Sequence, residues 1–299
     1  MKKIILFVLF VLLFTLAGCS KNQTNTVSMA SQTLNLSSIE NARELGGYVT
    51  QDGKTVKHGV LIRTAALTNI SDEEKNILVN DFNLSAIVDF RASYETLEEP
   101  EPIIHEVSQY NFKIMDEKMM AERAANISEA LKDPNVNAIE RMYLVLENGI
   151  ISDQMYVEFL TTEVGKIGYR DFFQVLLNTP EGSSVLWHCT NGKDRTGVAA
   201  MLLLGVLNVD ENTIMEDFML TNEFFAEEIN VLRESLEPYI QDKDLLDELM
   251  VAGRGVYAPY MQNAIDYINE NYGSITEYVK VELGLSDADI IKLQQMYTE

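Results

Sequence analysis

The sequence has few cysteines: two in 299 residues, Cys19 and Cys189. Two cysteines cannot build the disulfide framework on which many small secreted domains depend. Proline and glycine are also few, six and sixteen, and neither a fixed-period repeat nor a long Pro/Gly linker divides the chain. We therefore expect one folded domain around a single core.

Basic residues are scarce as well. The chain has 23 Lys and Arg against 46 Asp and Glu, a net charge of −23. Nucleic-acid binding is excluded on this basis, because the phosphate backbone must be met by cations. Adsorption to anionic lipid is also disfavoured. An anionic substrate must instead bind in a local basic pocket, against an unfavourable overall field.

The N-terminus has the pattern of an export signal. Lys2 and Lys3 precede an apolar run at 4–14, and Leu16-Ala17-Gly18-Cys19 follows. A basic end, an apolar core and small residues are typical of a secretory signal, and the run is short for a membrane span. The last four residues resemble a bacterial lipobox, in which Cys19 is lipidated. An ordinary signal with a chance cysteine is the alternative.

These features predict a lipoprotein signal peptide at 1–18, a lipid-anchored flexible tether at 19–37 and a single folded domain at 38–299. Removing the signal leaves 21 basic and 46 acidic residues, a net charge of −25. The predicted location is extracytoplasmic, at the bacterial cell membrane and attached through Cys19. With Cys19 lipidated, Cys189 has no partner, and its thiol is expected to serve chemistry. We expect a monomer.

The domain has the pattern of an α/β fold. Capping boxes at Ser71 with Glu74 and at Ser286 with Asp289 mark two helix starts. Strands alternate with helical patterns, and only helical patterns follow residue 211, which predicts a central, mostly parallel sheet flanked by helices with a helical C-terminal part. The predicted strands are 59–62, 85–90, 110–114 and 184–188; the main predicted helices are 116–147, 153–160, 165–177 and 196–207.

The last predicted strand runs into a phosphate-binding pattern, His188-Cys189-Thr190-Asn191-Gly192-Lys193-Asp194-Arg195-Thr196-Gly197. Five residues between Cys189 and Arg195 allow the backbone N–H groups to surround a phosphate. The following helix adds its positive end, and Gly192 permits close approach or a positive φ. Arg195 can hold two phosphate oxygens as a bidentate fork. This site should lie at the carboxyl end of a strand, where open α/β sheets bind ligands.

The same surroundings favour a reactive thiolate. A helix N-terminus and nearby cations lower the pKa of a cysteine, so Cys189 is expected to attack phosphorus and form a phosphocysteine. Thr196 would stabilise the departing thiolate. His188 would orient the loop, with proton transfer as the alternative. A buried structural cysteine in a glycine-containing turn is the alternative to the whole site.

The sequence also predicts individual roles for two residues inside the loop. Lys193 adds a second cation suited to substrates with several phosphates, or it is a solvated loop lysine. Asp194 is the first candidate for the general acid that protonates the leaving group, or it forms an ion pair that stabilises the loop. Asp89, at the end of a strand, is the second candidate. The one tryptophan, Trp187, lies in a strand, so a mobile Trp-Pro-Asp loop is absent.

The loop resembles the signature of the bacterial tyrosine-phosphatase-like proteins, atypical dual-specificity enzymes of which some act on phosphoinositides. The resemblance covers about 38–299. Glu44 stands in place of the family's Asp, and Thr64 in place of its Ser. The other matching segments are 41–47, 60–67, 87–95 and 272–293.

This resemblance implies roles for further residues. Arg43, Arg63 and Arg91 could converge on the pocket rim, or they form structural ion pairs. Residues 116–163 occupy the place of a helical insertion, which packs on the core or covers the site as a lid.

The predicted function is phosphomonoester hydrolysis on phosphotyrosine proteins, extending to phosphoserine and phosphothreonine. A phosphoinositide phosphatase acting on host lipids is the alternative, and a catalytically silent phosphate-binding surface lipoprotein is the third. Neither a cofactor nor a metal is expected, because His58, His105 and His188 are scattered.

Overall fold

The computed structural model describes residues 32–34 and 36–299. The predicted signal peptide, Cys19 and most of the predicted tether lie outside the described residues. Leu34 and Leu36 are buried against the sheet, in the apolar cluster that contains Ile62 and Leu186. The packed part of the chain therefore begins before residue 38, because these two leucines anchor an otherwise polar stretch.

A five-stranded sheet organises the fold, in the order β1-β2-β5-β3-β4. Strands β2, β5, β3 and β4 are parallel, and the short β1 pairs with β2 antiparallel at one edge. The predicted α/β class with a mostly parallel sheet is confirmed. The strands are β1 Arg43–Glu44, β2 Leu61–Thr64, β3 Leu84–Asp89, β4 Ser108–Asn111 and β5 Ser184–His188.

Helices surround the sheet and form the C-terminal part. Both predicted capping boxes are present, Ser71 with Glu74 and Ser286 with Asp289. A π-helical turn at Ile77–Asp81 extends the first helix. The helices of the described residues are α1 Asp72–Asn76, α2 Ser93–Glu98, α3 Glu117–Ala125, α4 Ser128–Lys132, α5 Ala138–Glu147, α6 Met155–Thr161, α7 Glu163–Asn178, α8 Asp194–Val206, α9 Glu211–Met219, α10 Thr221–Phe224, α11 Ala226–Leu236, α12 Lys243–Ala252, α13 Ala258–Tyr272, α14 Ile275–Val281 and α15 Asp287–Tyr297.

The central strand β5 is buried along its whole length, because both faces of the sheet are covered. Val185 and Trp187 point into the main core, whereas Leu186 points to the opposite face. Helix α8 is apolar on all sides and lies within the main core. The loop between β5 and α8 is therefore anchored at both ends in rigid, buried elements.

The predicted insertion at 116–163 forms four helices, of which α6 is the most deeply packed, with Tyr156, Phe159 and Leu160 buried. Helix α5 packs its apolar side chains against the cluster formed by α11 and α12. Across the described part of the chain, no helix combines the length and apolar character needed to span a bilayer.

Candidate active site

The phosphate-loop pattern lies at the carboxyl end of the parallel strands. His188 ends β5 and pairs in register with Thr64 of β2 and Asp89 of β3. Cys189 follows and is buried, with 1% of its surface exposed. Helix α8 begins at Asp194, two residues earlier than predicted, so Asp194 and Arg195 lie in its first turn.

The loop carbonyls are held from the sheet side. Asn41 Nδ2 donates to the carbonyl oxygens of Asn191 at 3.1 Å and of Gly192 at 3.0 Å. Arg63 Nη2 also donates to the Gly192 carbonyl, at 3.0 Å. Gly192 has a φ of +63°, and a Cβ there would lie 2.2 Å from the Thr64 carbonyl oxygen. With these carbonyls tied outward, the loop N–H groups are free to face an anion.

Arg43 and Arg63 lie behind the loop, and neither is exposed. Asp217 of α9 bridges them: its Oδ1 accepts from Arg43 Nε at 3.1 Å and its Oδ2 from Arg63 Nη1 at 2.6 Å. Burial raises the pKa of Asp217, but the two guanidinium groups outweigh burial and lower it. Burial, with the neighbouring Arg43, lowers the pKa of Arg63 to about 10. The structure thus places both arginines in an internal ion-pair network.

His188, which directly precedes Cys189, contacts two carboxylates. Its Nε2 lies 3.1 Å from Glu101 Oε2, and its Nδ1 lies 3.8 Å from Asp89 Oδ1. Burial disfavours the charged imidazole, but Glu101 and Asp89 outweigh burial and raise the pKa of His188 to about 9. His188 is therefore an imidazolium at neutral pH, with the Cys189 carbonyl oxygen 3.2 Å from its Nδ1.

Asp89 and Arg91 complete this buried charge cluster. Arg91 Nε donates to both carboxylate oxygens of Asp89 at 3.1 Å. Asp89, Glu101 and His188 bring possible metal ligands within 4.8 Å of one another. Two basic side chains, Arg91 and His188, pair with the two carboxylates of this cluster. The arrangement is that of an ion-pair network, and Asp89 faces Arg91 instead of an open pocket.

The charge of Arg195 acts on the thiol of Cys189. Burial alone would raise the pKa of Cys189, but the charge of Arg195 and the neighbouring Thr196 outweigh burial and lower it, although Asp194 opposes this. Arg195 is itself held by Glu95 of α2, at 2.5 Å from Nη1 and 2.8 Å from Nη2. The Thr190 hydroxyl donates to the same carboxylate.

Asp194 is held by two donors. The Tyr156 hydroxyl of α6 donates to Asp194 Oδ1 at 2.6 Å. Lys193 Nζ lies 3.1 Å from each carboxylate oxygen and also donates to the Val251 carbonyl of α12 at 3.0 Å. Lys193 is 2% exposed, so the structure buries this cation and pairs it with Asp194 instead of leaving it as a solvated loop lysine.

An exposed arginine approaches the other side of the loop. Arg254 Nη1 donates to the side-chain Oδ1 of Asn191 at 3.1 Å and to Glu40 Oε2 at 2.6 Å. Its guanidinium also lies 5.1 Å from the centre of the Phe225 ring. The side chain is 37% exposed. Among the described basic residues that hydrogen-bond to the loop, it is the accessible one.

Several residues of this site were not predicted from sequence: Asn41, Glu95, Glu101, Tyr156, Asp217 and Arg254. Asn41 and Glu95 lay in the segments that carried the family resemblance, which was a usable signal. Tyr156 and Arg254 lie 38 and 63 residues from their loop partners. No local pattern could have indicated them.

Comparison with known proteins gives matches over most of the chain. The family described as the tyrosine phosphatase family matches residues 34–299. A protein of Cupriavidus necator named as a tyrosine-protein phosphatase is 26% identical over 262 residues, 87% of this chain and 86% of its own. The triple specificity protein phosphatase of Mycobacterium tuberculosis is 29% identical over 136 residues, 42% of this chain and 48% of its own. A tyrosine-protein phosphatase of Nostoc commune is 23% identical over 234 residues, 78% of this chain and 72% of its own.

Proposed function

Because the chain belongs to the tyrosine phosphatase family and is a cysteine-dependent phosphatase, we propose that it hydrolyses phosphomonoesters through a covalent phosphocysteine intermediate. The observation that carries this proposal is the buried Cys189, whose pKa is lowered by Arg195 at the start of α8. Outward-tied carbonyls at Asn191 and Gly192 leave the loop N–H groups for the phosphate oxygens.

The reaction proceeds in two displacements. The Cys189 thiolate attacks phosphorus, the bond from phosphorus to the ester oxygen breaks, and Asp194 gives its proton to that oxygen. Water then attacks the phosphocysteine, the sulfur–phosphorus bond breaks, and Asp194 takes a proton from the water. Thr196 stabilises the thiolate that leaves, since it already helps to lower the pKa of Cys189 in the free enzyme.

The proposed substrates are phosphotyrosine proteins, extending to phosphoserine and phosphothreonine. Three relatives whose names describe protein phosphatases support this substrate class. A second candidate is a phosphoinositide or another substrate with more than one phosphate. Lys193 gives that candidate little support because it is buried and paired, whereas Arg254 supports it as an exposed cation beside Asn191.

We also propose that Cys19 carries a lipid that attaches the enzyme, as a monomer, to the outer side of the bacterial cell membrane. The sequence before residue 20 supports this, with two lysines, an apolar run and Leu-Ala-Gly-Cys. Fatty-acid labelling in the producing cell should mark the wild type and not a Cys19→Ser variant. Equal labelling of both would contradict the anchor.

The test of the activity uses the full chain in detergent, with a phosphotyrosine peptide and p-nitrophenyl phosphate. We expect wild type to release phosphate and Cys189→Ser to fall to the background rate, because the alcohol is not ionised at neutral pH. Rapid quenching should leave covalent phosphate on Cys189, detectable by mass spectrometry. Equal rates for the two proteins would contradict the mechanism and favour a phosphate-binding protein without catalysis.

A further inference from the structure

Tyr156 touches the proposed acid although it comes from a distant helix. It lies on α6, in the predicted insertion, and its side chain is fully buried. Its hydroxyl donates to Asp194 Oδ1 at 2.6 Å. Burial, with the charge of Asp194, raises the pKa of Tyr156 well above its ordinary value. Tyr156 therefore keeps its proton and remains a hydrogen-bond donor at neutral pH.

Three aromatic neighbours fix the place of this hydroxyl. The Tyr156 ring stacks on Phe159, with ring centres 5.9 Å apart. Phe218 and Tyr260 meet it edge to face, at 5.8 and 6.0 Å. These partners come from α6, α9 and α13, so the hydroxyl is held by three packed helices before any substrate arrives.

The two oxygens of Asp194 are consequently not equivalent. Oδ1 accepts the Tyr156 hydroxyl, so a proton carried by the carboxyl group belongs on Oδ2. Lys193 reaches both oxygens and is itself fixed to the Val251 carbonyl, which limits rotation of the group further. The carboxyl is therefore presented in one orientation.

We propose that Tyr156 is a positioning residue that turns Asp194 so that Oδ2 delivers the proton to the departing oxygen. This inference rests on the proposed function, in which Asp194 is the general acid. It gives the insertion a role in the chemistry: α6 supplies the group that aims the acid.

The dependence of the rate on the leaving group distinguishes a positioning role from a structural defect. A p-nitrophenolate leaves readily without a proton, whereas an unsubstituted phenolate needs one, so only the second reaction depends strongly on the acid. The experiment measures kcat/KM, which covers every step through departure of the leaving group. It uses a series of aryl phosphates from p-nitrophenyl to phenyl, with the full chain in detergent.

For Tyr156→Phe we expect kcat/KM for p-nitrophenyl phosphate within about twofold of wild type and that for phenyl phosphate lowered about tenfold, part of the 10²–10⁴ that a general acid contributes. For Asp194→Asn, the loss of kcat/KM should increase more steeply from p-nitrophenyl phosphate to phenyl phosphate. The control is Tyr278→Phe, because the buried Tyr278 hydroxyl donates to the Leu160 carbonyl of the same helix α6 at 2.8 Å. Its effect should be equal across the series.

Each contrary outcome is informative. An equal loss across the series for Tyr156→Phe, or a leaving-group dependence in Tyr278→Phe as large as in Tyr156→Phe, would reduce Tyr156 to a packing role. If Asp194→Asn shows the dependence and Tyr156→Phe does not, the positioning role alone is overturned. If Asp194→Asn shows none while turnover still requires Cys189, the acid is another group, and both the acid assignment and this inference fail.

Discussion

The phosphate loop is held differently on its two sides. On the sheet side, Asn41 and Arg63 bind its backbone carbonyls, and Asp217 holds Arg63. On the helix side, Tyr156 and Arg254 bind side chains of the loop, Asp194 and Asn191. The sheet-side contacts are buried ion pairs and hydrogen bonds to the loop backbone, whereas the helix-side contacts are hydrogen bonds to loop side chains.

This difference separates two tasks. Backbone contacts fix the shape that receives a phosphate, which any substrate of the enzyme needs. Side-chain contacts act on Asp194, the proposed proton donor, and on Asn191, beside which Arg254 is exposed. We therefore expect sheet-side substitutions to lower stability and all activities together, and helix-side substitutions to change selectivity with little effect on stability.

The largest expected effect is on the sheet side, at Asp217. Replacing it by alanine leaves Arg43 and Arg63 buried without their shared carboxylate. Removing one partner of a buried ion pair typically costs about 3–5 kcal/mol in the free energy of unfolding. Denaturant titration followed by circular dichroism measures this quantity for Asp217→Ala.

The matched control is Asp247, which pairs with Arg233 at 2.5 Å on the partly exposed surface of α12. Asp247→Ala should lower the free energy of unfolding by about 1 kcal/mol or less, since water solvates the remaining arginine. If the two variants lost similar amounts of the free energy of unfolding, the proposed difference between buried sheet-side ion pairs and ion pairs on the helical surface would be wrong.

A second sheet-side prediction concerns pH. The pKa of His188 is raised to about 9 in the folded protein, against about 6.5 in an unfolded chain. The stabilisation from His188 is therefore complete below about pH 6.5 and is lost as pH rises through about 9, on the order of 3 kcal/mol. Glu101→Gln removes the principal carboxylate that raises this pKa, so it should flatten the decline in stability.

Cys189 titrates with the opposite sign. Its pKa is lowered by folding, so the thiolate adds stability as pH rises. The measurement should therefore compare Cys189→Ser with Cys189→Ser combined with Glu101→Gln, from pH 6 to pH 9.5. Parallel curves for the two proteins would show that Glu101 does not hold the proton on His188.

The smallest expected effect is on the helix side, at Arg254. Its two hydrogen bonds both use Nη1, and a guanidinium has five N–H donors, so donors remain for an anion beside the phosphate. Arg254→Ala should lower kcat/KM about fivefold for a substrate with a second phosphate, about 1 kcal/mol, because the site is exposed. The value for p-nitrophenyl phosphate should change less than twofold.

Arg170→Ala removes another exposed arginine, on α7, and should leave the ratio of kcat/KM for the two substrates unchanged. If Arg254→Ala lowered kcat/KM equally for both substrates, Arg254 would support the loop structure as the sheet-side residues do.

Much of the fold could be predicted because it depends on local pattern. Strand β5 has the predicted bounds, and both capping boxes are present, since each depends on neighbouring residues. The strand β1 was missed because its two residues are too short for an alternating pattern. Helix α8 was placed two residues late, because its first turn has no capping side chain that would mark a start.

The site was predictable only in part, for a related reason. The sequence indicates that Lys193 is a cation near phosphate, but its burial depends on a carbonyl at Val251, 58 residues away. It likewise indicates arginines at 43 and 63 without revealing that Asp217 pairs with both. Residue type and spacing identify a chemistry, whereas the partner that limits each side chain is set by the tertiary fold.

The pairing of Arg195 with Glu95 has an entropic consequence. Glu95 occupies the edge of the guanidinium formed by Nη1 and Nη2, so the Nε edge remains for a phosphate. An arginine side chain loses about 2 kcal/mol of rotamer freedom when it is immobilised. Here that loss occurs when the chain folds, because Glu95 orders Arg195 in the absence of ligand. Arg195 is therefore already ordered when a phosphate binds, and little of the binding free energy is spent on ordering its side chain.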